Sequence, residues 1–129
     1  RGYISADVET YYNRGVNAGV TMWGLEVPAG HLDKPAVAYD ETADFEAQLE
    51  QIMLQKYYTL FFTDFQQWHE YRRTGHPVLP IGPGVRNDGK MPSRFRYPVY
   101  VQSLNGVNYT AAVAAMGGDD INTKVWWNK

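Results

Sequence analysis

The sequence predicts a mainly α-helical domain followed by a long irregular C-terminal region. Between Leu49 and Phe61 the apolar residues recur at intervals of three and four positions, which only an α-helix keeps on one face. From Pro77 onward, five Pro and Gly residues fall within eight positions, so regular structure is expected to become sparse. The length of 129 residues and the hydrophobic content of 44% suit one folded domain.

The first helix is predicted over about residues 6–22. Ser5 is its predicted N-cap, because its side-chain oxygen accepts from the backbone N–H groups that a helix start leaves unpaired. Gly15 and Gly19 share the inner face, where each costs about 1 kcal/mol of helix propensity relative to alanine. Close packing of another backbone on that face would offset this cost.

The second helix is predicted over about residues 41–62. Either Asp40 or Thr42 is expected to cap it, and four acidic residues near its start suit the positive end of the helix dipole. A helix of this length spans about 33 Å.

The third helix is predicted over residues 64–74, with Thr63 and Asp64 as its cap. Gly75 is expected to end it in a left-handed conformation, and Pro77 prevents its continuation.

The tail, residues 77–129, is predicted to hold two short elements only. A short strand is expected over residues 97–102, beginning after Pro98, and a helical turn over Thr110–Met116 that ends at Gly117. The terminal Trp126 and Trp127 are expected to be core anchors that tie the C-terminus down, although a flat indole pair is also suited to stacking on sugars.

Charge and composition narrow the class of protein. The net charge is −2 and no strongly basic patch is present, so no nucleic-acid partner is expected. The sequence contains no cysteine, which excludes thiolate chemistry within this chain. It begins at Arg1 without an initiator methionine, and we expect it to be a processed product or a piece of a longer protein.

No catalytic or metal-binding residue is assigned, and no cofactor is expected. His31, His69 and His76 lack metal-ligand spacing. The run from Asp119 to Asn122 lacks the glycine and the distal glutamate of a calcium loop, so a turn or capping role is expected. Hydrolysis of a glycosidic bond needs two facing carboxylates, and the spacing of the available acids pairs none of them. Those acids are Asp64, Glu70, Asp119 and Asp120.

A series of residues stands out by its identity and order: Gln55-Lys56-Tyr57, Trp68, Tyr71-Arg72-Arg73-Thr74-Gly75-His76-Pro77, Pro92-x-Arg94-x-x-Tyr97-Pro98, Asn105, Asn108 and Val125-Trp126-Trp127. This series resembles the C-terminal end of the SusD/RagB family of outer-membrane nutrient-binding lipoproteins. The earlier Ala6-x-x-x-x-Tyr11-Tyr12-x-x-Gly15-Val16 and Val37-x-Tyr39 are similar too, so the resemblance covers nearly the whole chain but only the last part of a family member. His76 departs from it, since an aromatic residue is commoner there, and Asn128 replaces a usual acid.

The resemblance implies a non-enzymatic protein on the extracellular face of the outer membrane, anchored through a lipidated N-terminal Cys that this chain does not contain. Such a protein binds an oligosaccharide or other nutrient and passes it to a SusC-like TonB-dependent transporter. The implied fold has tetratricopeptide-like helices. The implied ligand residues lie upstream, so the ligand-binding residues here are unknown.

The motif residues within this chain are interpreted as structural. We expect Arg94, or one of Arg72 and Arg73, to bind the proline-rich tail to the end of the third helix, because a planar guanidinium satisfies several carbonyls at once. We also expect an exposed apolar face that packs on the missing N-terminal part of the same protein. The motif residues are Gln55, Lys56, Trp68, Arg72, Arg73, Gly75, Pro77, Arg94, Tyr97, Pro98, Trp126 and Trp127.

Two other classes remain open at this point. An all-α glycan-processing enzyme would need a carboxylate pair facing a cleft. A helical-repeat scaffold for protein interactions would show no concave aromatic surface.

Overall fold

Five α-helices make up the regular structure of residues 5–128. The computed structural model describes residues 5–128, and within that range it holds no β-strand. The predicted mainly α-helical class is therefore confirmed. Over the same range, no helix combines the length and apolar character needed to cross a bilayer. The helices are α1 (Val8–Met22), α2 (Phe45–Thr59), α3 (Gln66–Thr74), α4 (Val99–Leu104) and α5 (Gly106–Met116).

The chain divides into two compact units. The first contains the residues up to Tyr71 together with Gly75–Val78, and so includes α1, α2 and most of α3. The second contains Arg72–Thr74 and the residues from Leu79 onward, with α4 and α5.

The start of α1 differs from the prediction. Asp7, not Ser5, is the N-cap, and its carboxylate accepts a bond of 3.1 Å from the Thr10 backbone N–H. The Thr10 hydroxyl donates to the same carboxylate oxygen. An aspartate two residues closer to the apolar repeat therefore takes the capping position, and the helix begins at Val8.

Helix α2 is shorter than predicted at both ends. Asp40 does not cap it, because the Asp40 carboxylate instead accepts the backbone N–H of Thr42 and closes a local turn. Asp44 is the cap, with its carboxylate 2.8 Å from the Ala47 nitrogen. At the other end Phe62 adopts a left-handed backbone with φ of 63°, which a continuing α-helix does not permit.

Helix α3 begins at Gln66 without a side-chain cap, so the predicted capping by Thr63 and Asp64 is wrong. Asp64 has a φ of 42°, which turns its backbone away from the extended geometry of an N-cap. The predicted end is confirmed, since Gly75 has a φ of 81° and its N–H bonds to the Tyr71 carbonyl at 2.7 Å.

The tail holds more helix than predicted, and the strand expected over residues 97–102 is wrong. Pro98 instead precedes α4, and its carbonyl accepts the N–H of Val101 at 2.9 Å. A strand needs a neighbour to complete its hydrogen bonds, whereas a helix satisfies them locally. The helical turn expected at Thr110 extends back to Gly106, so that α5 is a full helix ending at Gly117.

A small core joins α1 and α2. Its buried apolar members are Tyr12, Val16 and Met53. The Tyr12 hydroxyl donates to the Val37 carbonyl at 2.7 Å, which fixes the connecting segment against α1. The Tyr12 pKa is raised because burial disfavours the phenolate. About half of the other large apolar side chains of the described residues are exposed.

Candidate functional site

An open apolar groove lies between α1 and α2 within the first unit. Its volume is about 420 Å³. Two of its side chains, Val8 and Tyr11, are 49% and 56% exposed in this chain. These side chains give the first unit an exposed apolar face. The groove is lined by Val8, Tyr11, Tyr12, Gly15, Val16, Ile52, Gln55, Lys56, Thr59 and Leu60.

Two motif residues, Gln55 and Lys56, line this groove. The Lys56 ammonium lies 3.1 Å from the Glu70 carboxylate, an ion pair between α2 and α3. A partly exposed pair of this kind contributes about 1 kcal/mol or less. Lys56 therefore positions α3 on α2, and its long apolar stem adds to the wall of the groove.

The C-terminal end of α2 carries an aromatic surface. The Trp23 indole N–H donates to the Thr59 carbonyl at 3.1 Å, which holds the end of α1 against α2. Phe62 is 88% exposed, and its ring centroid is 4.4 Å from that of Phe61. The surface comprises Trp23, Tyr57, Tyr58, Phe61 and Phe62.

Trp68, a motif residue of α3, is half-buried. Its ring centroid lies 5.9 Å from that of Phe65 and 5.6 Å from that of His69. These aromatic rings cluster at the start of α3.

His76 forms an interaction that the sequence did not predict. Its Nδ1 lies 2.6 Å from a Glu50 carboxylate oxygen, and its Nε2 lies 2.9 Å from a Glu46 oxygen. The Glu50 carboxylate also accepts the backbone N–H of Val78 at 2.9 Å. Between His76 and Val78, the motif residue Pro77 is fully buried. The spacing of Glu46 and Glu50, one helical turn apart, was the available signal, but nothing in it points to His76.

In the second unit Arg72 binds the tail. It is buried, and its guanidinium donates to the Ser93 carbonyl at 2.8 Å. The same guanidinium lies 4.4 Å from the centre of the Trp127 ring. The Asn128 amide reaches the Ser93 hydroxyl at 3.3 Å. Arg72 thus makes the contact expected of one of the motif arginines, and it joins the Ser93 segment and the C-terminal segment.

The two terminal tryptophans have different environments. Trp127 is half-buried and stacks against Arg72. Trp126 is 95% exposed, so the expectation that both rings are core anchors is wrong for Trp126. Both tryptophans lie in a turn that the Asn128 N–H closes on the Val125 carbonyl at 2.9 Å, and in this turn the Trp127 ring packs on Arg72 while the Trp126 ring faces solvent.

Arg94 forms a buried ion pair with Asp119 at 3.1 Å, and their side chains are 10% and 8% exposed. The Asp119 carboxylate also accepts the backbone N–H of Tyr97 at 3.2 Å and the Tyr109 hydroxyl at 3.3 Å. The Tyr97 ring lies 5.0 Å from the Arg94 guanidinium. Burial of Tyr109 raises its pKa, and the Asp119 charge adds to the effect. These residues connect the segment before α4 to the segment after α5.

The segment Asp119–Asn122, after α5, forms the turn that the sequence predicts. The Asp120 carboxylate accepts the backbone N–H of Asn122 at 2.9 Å and pairs with Arg96 at 2.8 Å. The hydrogen bond from the Asn122 N–H, and next to it the contact with Arg96, hold the Asp120 pKa below its usual value. Arg73, the remaining motif arginine, is exposed on α3.

Three of the four carboxylates considered for glycoside cleavage are held in ion pairs. Glu70 pairs with Lys56, Asp119 with Arg94, and Asp120 with Arg96.

The chain is similar to one sequence family over most of its length. Residues 1–98 match the SusD-like family described as starch-binding and associating with the outer membrane. A search of curated proteins found no match.

Solved structures resemble the whole chain. A SusD homologue from Bacteroides fragilis has 30% identity and a TM-score of 0.81, with 100% of this chain and 31% of that protein covered. A chitin-binding protein has 32% identity and a TM-score of 0.76, over 99% of this chain and 30% of its own length. A chitin-binding SusD homologue from Flavobacterium johnsoniae shares the fold at 24% identity, with a TM-score of 0.77 over 95% of this chain and 32% of its own length.

The chain therefore spans about a third of the length of these proteins. The predicted SusD-like, mainly helical fold with tetratricopeptide-like helices is confirmed by these superpositions. The match over residues 1–98 and the superposition of the whole chain show that it belongs to the SusD-like family.

Proposed function

We propose that this chain belongs to a surface protein that binds a glycan and delivers it to a SusC-like TonB-dependent transporter. The observation that carries the proposal is the family match over residues 1–98, to a family described as starch-binding and associating with the outer membrane. A chitin-binding protein with 32% identity supports a polysaccharide as the ligand class. The role is binding and not catalysis, in keeping with the ion-paired carboxylates.

The contribution of this chain to that function is structural. The Arg72 and Arg94 contacts stabilise the tail, and the groove between α1 and α2 receives helices of the N-terminal part of the same polypeptide. Two facts support this assignment. The groove is apolar and open, and most of the length of each solved relative lies outside the region matched here. Burying its exposed tyrosine and aliphatic side chains would stabilise the whole protein by about 25 cal/mol per Å².

Binding is tested with the intact protein and soluble chitin and starch oligosaccharides. Isothermal titration calorimetry is expected to show saturable binding of at least one of them, with no release of shorter sugars during prolonged incubation. Shorter products would instead favour the glycan-processing enzyme. Absence of binding across a wide glycan array would favour the helical-repeat scaffold.

The groove is tested by one substitution in two chain lengths. Tyr11→Ala is expected to cost about 1 kcal/mol or less in the 129-residue chain, where this side chain is largely exposed. In the intact protein the same change is expected to cost about 3 kcal/mol or more, because it would leave a cavity under the covering helices. Glu9→Ala, at an exposed position of α1 outside the groove lining, is the control and is expected to cost little in both. If Tyr11→Ala lowered the free energy of unfolding equally in the two chain lengths, the packing of N-terminal helices on the groove would be contradicted.

The partner and location form a further part of the proposal. The protein is held by a lipid on the extracellular face of the outer membrane, beside its transporter. Protease treatment of intact cells is expected to degrade it, and affinity purification from detergent-solubilised outer membranes is expected to recover the transporter. Protection of the protein until the cells are lysed would contradict the surface location.

A further inference from the structure

The segment that follows α3 is bound to α2 through His76. Glu46 and Glu50 lie four residues apart on α2, and therefore on one face of it. His76 lies between them, with Nδ1 2.6 Å from Glu50 and Nε2 2.9 Å from Glu46. The His76 side chain is 15% exposed, so solvent screens these contacts only in part.

The protonation state of His76 follows from the chemistry of its partners. An ionised carboxylate only accepts hydrogen bonds, so each histidine nitrogen must donate for both contacts to form. A neutral imidazole has one N–H, and its other nitrogen carries a lone pair that a carboxylate oxygen repels. Both bonds form at full strength only with the imidazolium.

Glu50 extends this arrangement to the backbone. Its two carboxylate oxygens lie 2.9 and 3.0 Å from the Val78 nitrogen, while one of them also meets His76. Pro77, between these residues, is fully buried. Movement of Glu50 therefore disturbs the side chain of His76 and the backbone of Val78 together.

We propose that Glu46, Glu50 and His76 form a proton-dependent clamp that holds Gly75–Val78 against α2 and loosens when His76 loses its proton. All of these residues belong to the first unit. The clamp therefore makes the local stability of Gly75–Val78 depend on pH.

The electrostatics agree with this geometry. Hydrogen bonding to Glu46 and Glu50 raises the pKa of His76, against the opposing effect of burial, and the charges of the same two carboxylates add to the rise. A raised folded-state pKa means that the stabilisation is complete below the ordinary histidine value of about 6.5. It is lost as the pH rises through the folded-state value.

The test is NMR on the intact protein, with the His76 ring protons and the Val78 amide followed between about pH 5 and pH 9. We expect His76 to titrate above its ordinary value. We expect the Val78 protection factor, corrected for intrinsic exchange, to fall over the same range. The decrease should be about tenfold for each pH unit by which the folded and unfolded pKa values differ.

Variants separate the clamp from a general effect of pH. Glu50→Gln is expected to lower the His76 pKa and to abolish the pH dependence of Val78 protection. His76→Gln, which has no imidazole to titrate, is expected to abolish the pH dependence of Val78 protection. Glu41→Gln removes an exposed negative charge just before α2 and is expected to change neither. A His76 that titrates at or below its ordinary value, or Val78 protection that does not change across the titration, would overturn the proposal.

Discussion

Gly19 of α1 packs against Thr59 of α2 with no room for a further carbon atom. A Cβ built on Gly19 would overlap the Thr59 hydroxyl oxygen and lie 3.3 Å from the Thr59 Cβ. Thr59 cannot easily withdraw, because its hydroxyl is bonded to the Gln55 carbonyl at 2.9 Å and the χ1 angle of a threonine is stiff. The contact sets the distance between the two helices.

Substitution of Gly19 is therefore expected to be unfavourable. Gly19→Ala should destabilise the chain by about 1–3 kcal/mol, because overpacking exceeds the gain in helix propensity. Gly15→Ala is the matched control, since a Cβ there meets nothing within 4 Å, and it should stabilise the chain by up to about 1 kcal/mol. Urea unfolding measures both changes, and the same sign for both would refute the close-packing argument.

Arg72 is expected to account for much of the stability of the second unit. Arg72→Ala removes the bond to the Ser93 carbonyl and the stacking on Trp127, with an expected cost of about 2–4 kcal/mol. Arg72→Lys should recover only part of this, because an ammonium lacks the planar shape that makes both contacts.

The control for Arg72 is Arg96→Lys, at an arginine 60% exposed in its ion pair with Asp120. Thermal unfolding should show little change for this variant, since exposed pairs contribute little. Limited proteolysis should detect faster cleavage of the tail in the Arg72 variants only. Equal behaviour of Arg72→Lys and the unmodified chain would contradict the role of the guanidinium.

Asp119 and Asp120 are adjacent aspartates with contrasting environments, and they should respond differently to substitution. Asp119→Ala leaves Arg94 buried without its counter-charge and is expected to cost about 3–5 kcal/mol. Asp120→Ala breaks a pair that is half exposed and should have a much smaller effect.

Salt provides an independent measurement for the two aspartates. Raising the ionic strength to about 1 M shortens the screening length to about 3 Å and should weaken the Arg96–Asp120 pair much more than the buried one. If high salt made the two substitutions equally destabilising, the contribution of the Arg94–Asp119 pair to the free energy of unfolding would not depend on its burial.

Asp7 should contribute to the acid sensitivity of α1. The Thr10 hydroxyl and then the Thr10 backbone N–H donate to its carboxylate and lower its pKa. A lowered folded-state pKa gives stability that is present above the ordinary value of about 3.9 and is lost as the pH falls through the folded-state value. Asp7→Asn keeps a good cap that does not titrate, so unfolding below about pH 4 should depend less on pH.

Ser5→Ala is the control for Asp7, because Ser5 is the residue that the sequence pattern favoured as the cap. Circular dichroism at neutral pH is expected to show no change for it and a loss of helix for Asp7→Ala. A loss on replacing Ser5 instead would restore the cap that the sequence predicts.

Local patterns predicted most of the first unit. The apolar repeat from Leu49 to Phe61 required α2, and Gly75 ended α3 where expected, because periodicity and capping depend on residues a few positions apart. The short tail elements were harder to predict. Val99 and Val101 favour strands by propensity, but within the described residues no second strand is available to pair with them.

The choice among chemically equal residues depended on the tertiary structure. Arg72, Arg73 and Arg94 were equivalent in sequence, yet the fold buries Arg72 beneath Trp127, exposes Arg73 and pairs Arg94 with Asp119. His76 meets Glu46 and Glu50 across 30 and 26 residues of chain, respectively.

The helical class, the helix ends at glycine and proline, and the family can all be predicted from the sequence. They depend only on local periodicity and on a series of motif residues. The tertiary structure decided which arginine binds the tail, which tryptophan packs and which histidine is clamped. Those outcomes depend on burial and on partners that are distant in the chain. Such contacts contribute to stability only when the fold brings the groups together.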